Sequence, residues 1–290
     1  MTSDAPFDLL RDAVISTFPE LAAAQFAPRT AGWDCFAVAV DERWIFKLPR
    51  RETAQKALVR EAQVLAVIRP AVTMPVPDMQ VFPGPPMFSR HRMLEGEHLV
   101  TADYDRLPET ARDRLAADMA RFYAELHRLD MKTMEAAGAR PISTWLEPEI
   151  ILRRVWPVLP AELRSFADRT ITQCQQLTPD PHGVTFGYFD GHGWNMAFDL
   201  ARQQLNGIYD FGDCGFGPLH REFIYSDFIS TDLTGRIIAK YEGLTGRVLD
   251  RRRITLLSGV LRFMELAEFA DDPGLGPTVI QNVLKWAAAR

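Results

Sequence analysis

The stretch FDGHGWNMAFD, Phe189 to Asp199, decides how the rest of the chain is read. It sets a carboxylate, a histidine, two glycines and an asparagine between two short apolar runs. Asp190 and Asn195 stand five residues apart, and YDFGD, Tyr209 to Asp213, places Asp210 fifteen residues further on, directly after another apolar run. Strands are predicted over 184–189, 196–198 and 205–209, so three oxygen-bearing side chains flank one hairpin. Carboxylate and amide oxygens are hard ligands suited to Mg²⁺, an ion that takes few protein ligands and completes its shell with water and substrate phosphates. Glycines at 191, 193 and 212 let the backbone turn tightly around such a site.

Upstream, WDCFAVAVDERWIFKLPR, Trp33 to Arg50, reads as two strands around the polar turn Asp41, Glu42, Arg43. In the second strand Trp44, Phe46 and Leu48 share one face, Ile45 and Lys47 the other, and Pro49 ends the ladder. A helix is predicted from about 53 to 68, with Leu58, Ala62, Leu65 and Ile68 at helical spacing, Glu61 mid-helix and Pro70 beyond its end. A short amphipathic helix over 6–18 precedes the hairpin, and the Pro-rich stretch over 75–88 is expected to hold turns and one short extended segment. A connector is placed near Glu95 and Gly96. Beyond it, Leu115, Met119, Phe122, Leu126 and Leu129 mark a long helix with a buried stripe. Two more helical patterns, the strand cluster and further helices complete the chain. The order predicts an α+β, bilobal fold: a small β-rich lobe over 1–95 and a larger, mainly helical lobe over 96–290.

Composition removes several classes of function. The chain has 290 residues, 47% hydrophobic and 24% charged, the balance of a folded globular protein long enough for two lobes. A net charge of −5 argues against a nucleic-acid binder, which needs clustered and uncompensated Lys and Arg. The run Arg251, Arg252, Arg253 is expected to be a solvated helix face. Cys35, Cys174 and Cys214 are odd in number and widely spaced, which fits a reducing cytoplasm. The first residues lack the basic start and apolar core of a signal peptide, and no stretch reaches the roughly 18 apolar residues of a membrane span. No membrane association and no protein partner are predicted.

Lys47 on a strand, Glu61 on the next helix and the Asp190, Asn195, Asp210 set together resemble the phosphotransferase constellation of protein-kinase-like enzymes, and among these the aminoglycoside phosphotransferase family. There the catalytic segment usually reads His-Gly-Asp, four residues, Asn, then a strand and Asp-Phe-Gly-Asp. Here the matching stretches are YFDGHGWN and DFGD. GWD at Gly32, Trp33 and Asp34, and REAQVL around Glu61, also resemble the family. The resemblance implies that Asp190 orients the acceptor hydroxyl and takes its proton, and that Asn195 and Asp210 hold Mg²⁺. It further implies that Lys47 holds the phosphates of ATP, or of GTP, that Glu61 orients Lys47, and that backbone groups from Arg92 to Leu94 meet the base. Kinases for aminoglycosides, amino alcohols and sugars share this machinery and differ in the helical pocket, so the acceptor is read only as a hydroxylated small molecule.

Two departures stand out: Tyr188-Phe189 replaces His-Gly, and no full G-x-G-x-x-G loop is present. Tyr188 can donate and accept a hydrogen bond as His would, and Phe189 adds apolar packing. Phe189 also occupies the place of the Arg that reads a phosphorylated loop in regulated protein kinases, so a permanently assembled small-molecule kinase fits better. The alternative is a catalytically weak nucleotide-binding protein of the same fold. Asp190, His192 and His182 as transition-metal ligands would lack the Cys and His partners of a tetrahedral set, so His192 reads as a turn brace. His127 reads as structural and Cys214 as a small packed hydrophobe. Glu265, Glu268, Asp271 and Asp272 form either a site for amines of a cationic acceptor or a solvated face.

Overall fold

Period-two alternation in the first third of the chain produces an antiparallel sheet with one face on a helix and the other on the cleft. The structure, a computed structural model, describes residues 5–29 and 34–288. Helix α1 (Ala5–Thr17) precedes β1 (Phe26–Arg29), β2 (Cys35–Val40) and β3 (Trp44–Pro49); then come α2 (Glu52–Ile68), β4 (Gln80–Phe82) and β5 (Phe88–Arg92). The strands pair in the order β1-β2-β3-β5-β4, all antiparallel. At the β2–β3 reversal Asp41 and Glu42 adopt φ of 50° and 51°, left-handed values that match the twist of a tight hairpin. Phe46 and Leu48 join Leu10, Val14, Val38, Val40 and Phe88 in a core under α1. Lys47 lies opposite Ala37 and Ser89, on the other face.

The Pro-rich stretch differs from expectation. It carries parts of two strands, because β4 and β5 pair across the turn at Gly84, where φ is +65°. Helix α2 buries Leu58, Glu61, Val64, Leu65 and Ile68. Its four aliphatic side chains belong to the same core as the C-terminal lobe, so this helix is clamped to both lobes. At about 1.5–3 kcal/mol per buried aliphatic side chain, the clamp fixes Glu61 firmly relative to the C-terminal lobe.

The C-terminal lobe begins with α3 (Thr101–Tyr104) and α4 (Glu109–Leu126), followed by α5 (Met131–Ala136), α6 (Pro148–Val155) and α7 (Ala161–Gln175). Four strands follow, β6 (Val184–Gly187), β7 (Met196–Asp199), β8 (Gln204–Ile208) and β9 (Gly215–Pro218), then α8 (Thr231–Thr245), α9 (Arg251–Phe269) and α10 (Gly276–Ala288). Leu115, Met119, Phe122 and Leu126 are buried on α4 as the stripe requires, and Leu129 lies just past its end. The strands form two ribbons, β6 with β9 and β7 with β8. β9 escapes sequence reading because Gly215-Phe216-Gly217-Pro218 has the composition of a loop. The basic run is corrected as well: Arg253 is buried and donates to the Thr178 carbonyl at 2.9 Å, leaving only Arg251 and Arg252 on the solvated face. No described helix is long and apolar enough to cross a membrane.

Candidate active site

Lys47 reaches across the cleft from the rigid β3. Its Nζ lies 3.4 Å from Glu61 Oε1 and 3.9 Å from Asp210 Oδ1. Burial works against the ammonium charge, but the neighbouring carboxylates of Glu61 and Asp210 outweigh it and raise the Lys47 pKa. The same Glu61 oxygen accepts the Phe211 backbone N–H at 3.3 Å, so one buried carboxylate registers both the lysine and the Asp-Phe-Gly turn. Asp210 sits at φ +65° with its side chain 57% exposed, which presents its free oxygen to the cleft.

The segment from Tyr188 to Asn195 is tied to that turn by three bonds. Tyr188 Oη donates to the Tyr209 carbonyl at 2.5 Å, Tyr209 N–H donates to the Asn195 carbonyl at 3.0 Å, and Tyr209 Oη donates to the Trp194 carbonyl at 2.9 Å. Asn195 Nδ2 donates to Asp190 Oδ2 at 2.6 Å and to the Asp190 carbonyl at 3.1 Å, which turns the amide oxygen away from Asp190. His192 Nε2 lies 3.0 Å from Asp190 Oδ1. Burial disfavours an imidazolium there, but the bond to Asp190 and the charges of Asp190, Asp210 and Glu265 prevail and raise the His192 pKa. Gly193 is required by close approach, since a Cβ there would fall 1.8 Å from the Leu99 carbonyl oxygen.

Phe189, where the family pattern has Gly, adopts φ +54°. A left-handed non-glycine residue costs roughly 1–2 kcal/mol. Glu222, fully buried, offsets this by accepting Phe189 N–H and Tyr188 N–H, each at 2.9 Å. His127 Nε2 meets the same carboxylate at 3.2 Å while its Nδ1 meets Tyr241 Oη at 2.8 Å, so His127 supports the clamp. Room for the Phe189 ring and for Glu222 comes from glycines: a Cβ on Gly187 would fall 2.0 Å from Glu222 Oε2, and one on Gly217 would fall 2.8 Å from the ring.

The donor set fits a hard divalent cation. Asp213 faces Asp190 and Asp210, and burial together with those two charges pushes its carboxyl up to about 6, although the side chain retains solvent contact. Such repulsion is what a bound cation relieves. Among the described residues no three His, Cys, Asp or Glu side chains are arranged to hold a metal, so phosphate oxygens would have to complete the shell around Asn195 and Asp210. His182 is engaged elsewhere, on the Val248 carbonyl at 2.8 Å and stacked on His220.

At the connector, Met93 N–H donates to the Arg43 carbonyl at 2.8 Å, and the buried His91 Nδ1 lies 2.9 Å from the Arg92 carbonyl, so both backbone groups already have partners. Leu94 packs over Gly207. Of the GWD stretch, Gly32 and Trp33 lie outside the described residues, and Asp34 pairs with Arg51. Trp194, beside Asn195, is 60% exposed and stacks edgewise on His98. The acidic stretch divides: Glu265 turns a buried oxygen inward, within the electrostatic reach of His192, Glu268 and Asp271 are exposed, and Asp272 accepts Gly274 N–H and Leu275 N–H at 2.8 Å each.

A lysine–glutamate pair, a carboxylate with an asparagine five residues on and a left-handed aspartate thus meet in one cleft. A model of the phosphotransferase enzyme family matches residues 26–255. The chain belongs to that family. No curated protein matches it in sequence. Its fold is similar to the GDP complex of wild-type aminoglycoside 2'-phosphotransferase-IIIa, with a TM-score of 0.80, 21% identity, and 96% of this chain and 97% of that one covered. It is similar as well to macrolide 2'-phosphotransferase MphH from Brachybacterium faecium (TM-score 0.68, 15% identity, 97% and 98% covered). A third similar structure is the streptomycin–ATP ternary complex of APH(2")-IIa (TM-score 0.62, 15% identity, 94% and 95% covered). Against the family pattern, the residues that sequence reading missed are Glu222 and Asp213. Asp213 stood in the DFGD motif, whereas Glu222 carried no signal, lying 34 residues from Tyr188 on a short turn.

Proposed function

We propose that this phosphotransferase moves the γ-phosphoryl group of ATP or GTP to a hydroxyl of a small molecule, with Mg²⁺ as cofactor. The observation that carries the reading is the single hydrogen-bonded assembly that runs from Lys47 through Glu61 and Phe211 to Asp210 and, by way of Tyr209, to Asn195 and Asp190. Lys47 would hold phosphate oxygens and Glu61 would keep the ammonium in place. Asp190 would orient the acceptor hydroxyl and accept its proton as the oxygen bonds to phosphorus. Asn195 and Asp210 would hold Mg²⁺, which supplies charge neutralisation at the phosphates. The connector near Glu95 and Gly96 is inferred to divide a nucleotide lobe, 1–95, from the catalytic lobe, 96–290. Three free cysteines support a cytoplasmic setting.

The binding-only alternative rested on Tyr188-Phe189. The Glu222 clamp supports the enzyme instead, because it supplies the backbone support that those two residues put in question. The deciding experiment measures phosphate transfer from ATP and from GTP, with and without Mg²⁺, to kanamycin, gentamicin, streptomycin, a macrolide and a panel of smaller alcohols. Magnesium-dependent product with at least one acceptor is expected. Nucleotide binding without product, or binding of equal affinity with and without the metal, would favour the alternative.

A further inference from the structure

We propose that His192 is a positioning residue for the transfer: its Nε2–H locks the plane of the Asp190 carboxylate, so that the acceptor hydroxyl meets a preset lone pair. The inference rests on the reading of Asp190 given above. An aspartate carboxylate turns easily about its last torsion, which is broad and roughly two-fold. Asn195 holds only Oδ2, at 2.6 Å, and would let the group pivot. His192 supplies the second point, 3.0 Å from Oδ1, and two fixed points remove the rotation.

Several features give the imidazole this one task. A carboxylate only accepts, so the bridging proton belongs to Nε2, and that nitrogen cannot itself act as the base. Nδ1 is buried and has no hydrogen-bond partner among the described residues, so the Asp190 carboxylate is the one group the ring bonds. The backbone keeps the ring within reach: His192 N–H donates to the Asp190 carbonyl at 2.8 Å, and Asn195 N–H donates to the His192 carbonyl at 3.2 Å. Each carboxylate oxygen has about two acceptor positions, so one remains on each after both bonds form. In the transfer the hydroxyl proton passes to one of those positions, the acceptor oxygen bonds to phosphorus, and the bond to the β-phosphate oxygen breaks to release the diphosphate. The bond also braces the turn, but its acceptor is the carboxylate that the proposed transfer uses.

The test compares His192→Phe, which keeps a ring without a donor, with His192→Gln, whose amide N–H reaches as far as Nε2. The assay is transfer to whichever alcohol of the panel above the wild type phosphorylates, or to water. His192→Phe is expected to lower kcat by roughly 10- to 100-fold, the cost of a mispositioned catalytic group, with the nucleotide KM within about twofold of wild type. His192→Gln should recover most of the loss. Unchanged kcat in His192→Phe, or equal impairment in both variants, overturns the proposal. If His192→Phe fails to fold, the wild type still decides: nitrogen NMR should show an exchange-protected His192 Nε2–H that disappears in Asp190→Ala, and its absence from the wild type also overturns the proposal. A wild type that transfers phosphate to nothing sinks the proposed function, whereas normal transfer by His192→Phe sinks only this inference.

Discussion

Replacing Glu222 with Gln isolates the clamp beneath the segment that carries Asp190. The carboxylate accepts three donors, the backbone N–H groups of Tyr188 and Phe189 at 2.9 Å each and His127 Nε2 at 3.2 Å, and it is fully buried. An amide keeps one acceptor oxygen and turns an N–H₂ toward a donor it cannot bond. Losing one charge-assisted bond costs about 1.5–3 kcal/mol, and leaving a buried N–H unmet costs about 1–3 kcal/mol more. Relief of the carboxylate's own desolvation returns part of this, so we expect a net loss of about 2–4 kcal/mol. That is less than the stability of an ordinary domain, so Glu222→Gln should fold. Phe189 would then lose its hold at φ +54°, and displacing Asp190 by about 1 Å costs on the order of 10²-fold in rate. Urea titration gives the stability change, and steady-state kinetics with a nucleotide-binding measurement give the rest: lower stability, lower kcat, nucleotide Kd unchanged. A variant within 1 kcal/mol of wild type that keeps full kcat would refute the clamp. Phe189→Gly is no rescue, because the ring is buried and its removal opens a cavity costing about 3–5 kcal/mol.

Four further outcomes are expected. Asp190→Asn should leave nucleotide binding intact and lower transfer by on the order of 10² to 10⁴, the usual worth of a positioned base, and near-normal turnover would remove Asp190 from the mechanism. Lys47→Ala and Glu61→Ala should each weaken productive nucleotide binding, Lys47→Ala more, and a double-mutant cycle should be non-additive because the two groups lie 3.4 Å apart. His91 is buried and lies near Lys47, which lowers its pKa to about 4 from 6.5; the unfolded chain therefore binds the extra proton first, and stability is full above about pH 6.5 and falls toward pH 4 by up to about 3 kcal/mol. Urea midpoints at pH 7 and 4.5 should show that fall in the wild type and a smaller one in His91→Gln. Glu265→Gln should raise the KM of a cationic acceptor, more so at low salt, while Glu268→Gln and Asp271→Asn change it less, since Glu265 alone of the three has a buried oxygen without a hydrogen-bond partner.

Local pattern was enough to bring together most of the residues of the proposed site. Alternation put Lys47 on the cleft face of β3, helical spacing put Glu61 on α2, and the paired spacings around Asp190, Asn195 and Asp210 marked the two turns that carry them. These signals are short-range, set by strand and helix periods and by turn chemistry within a few residues. Composition likewise argues against a nucleic-acid binder, and no described helix is long and apolar enough to cross a membrane.

Tertiary structure alone decided what holds that machinery in place. Glu222 carries no local signal, and folding buries it on amides that lie 34 and 33 residues away in the chain. Phe189 reads as a broken motif until Gly187 and Gly217, on paired strands, are found to make room for its ring. His192 reads as a turn brace, and only the folded side chain shows that the group it holds within that turn is the Asp190 carboxylate; the acidic stretch reads as one cluster until α9 turns only Glu265 inward. Each depends on contacts between segments distant in the chain or on the direction of a side chain, and neither periodicity nor spacing encodes these.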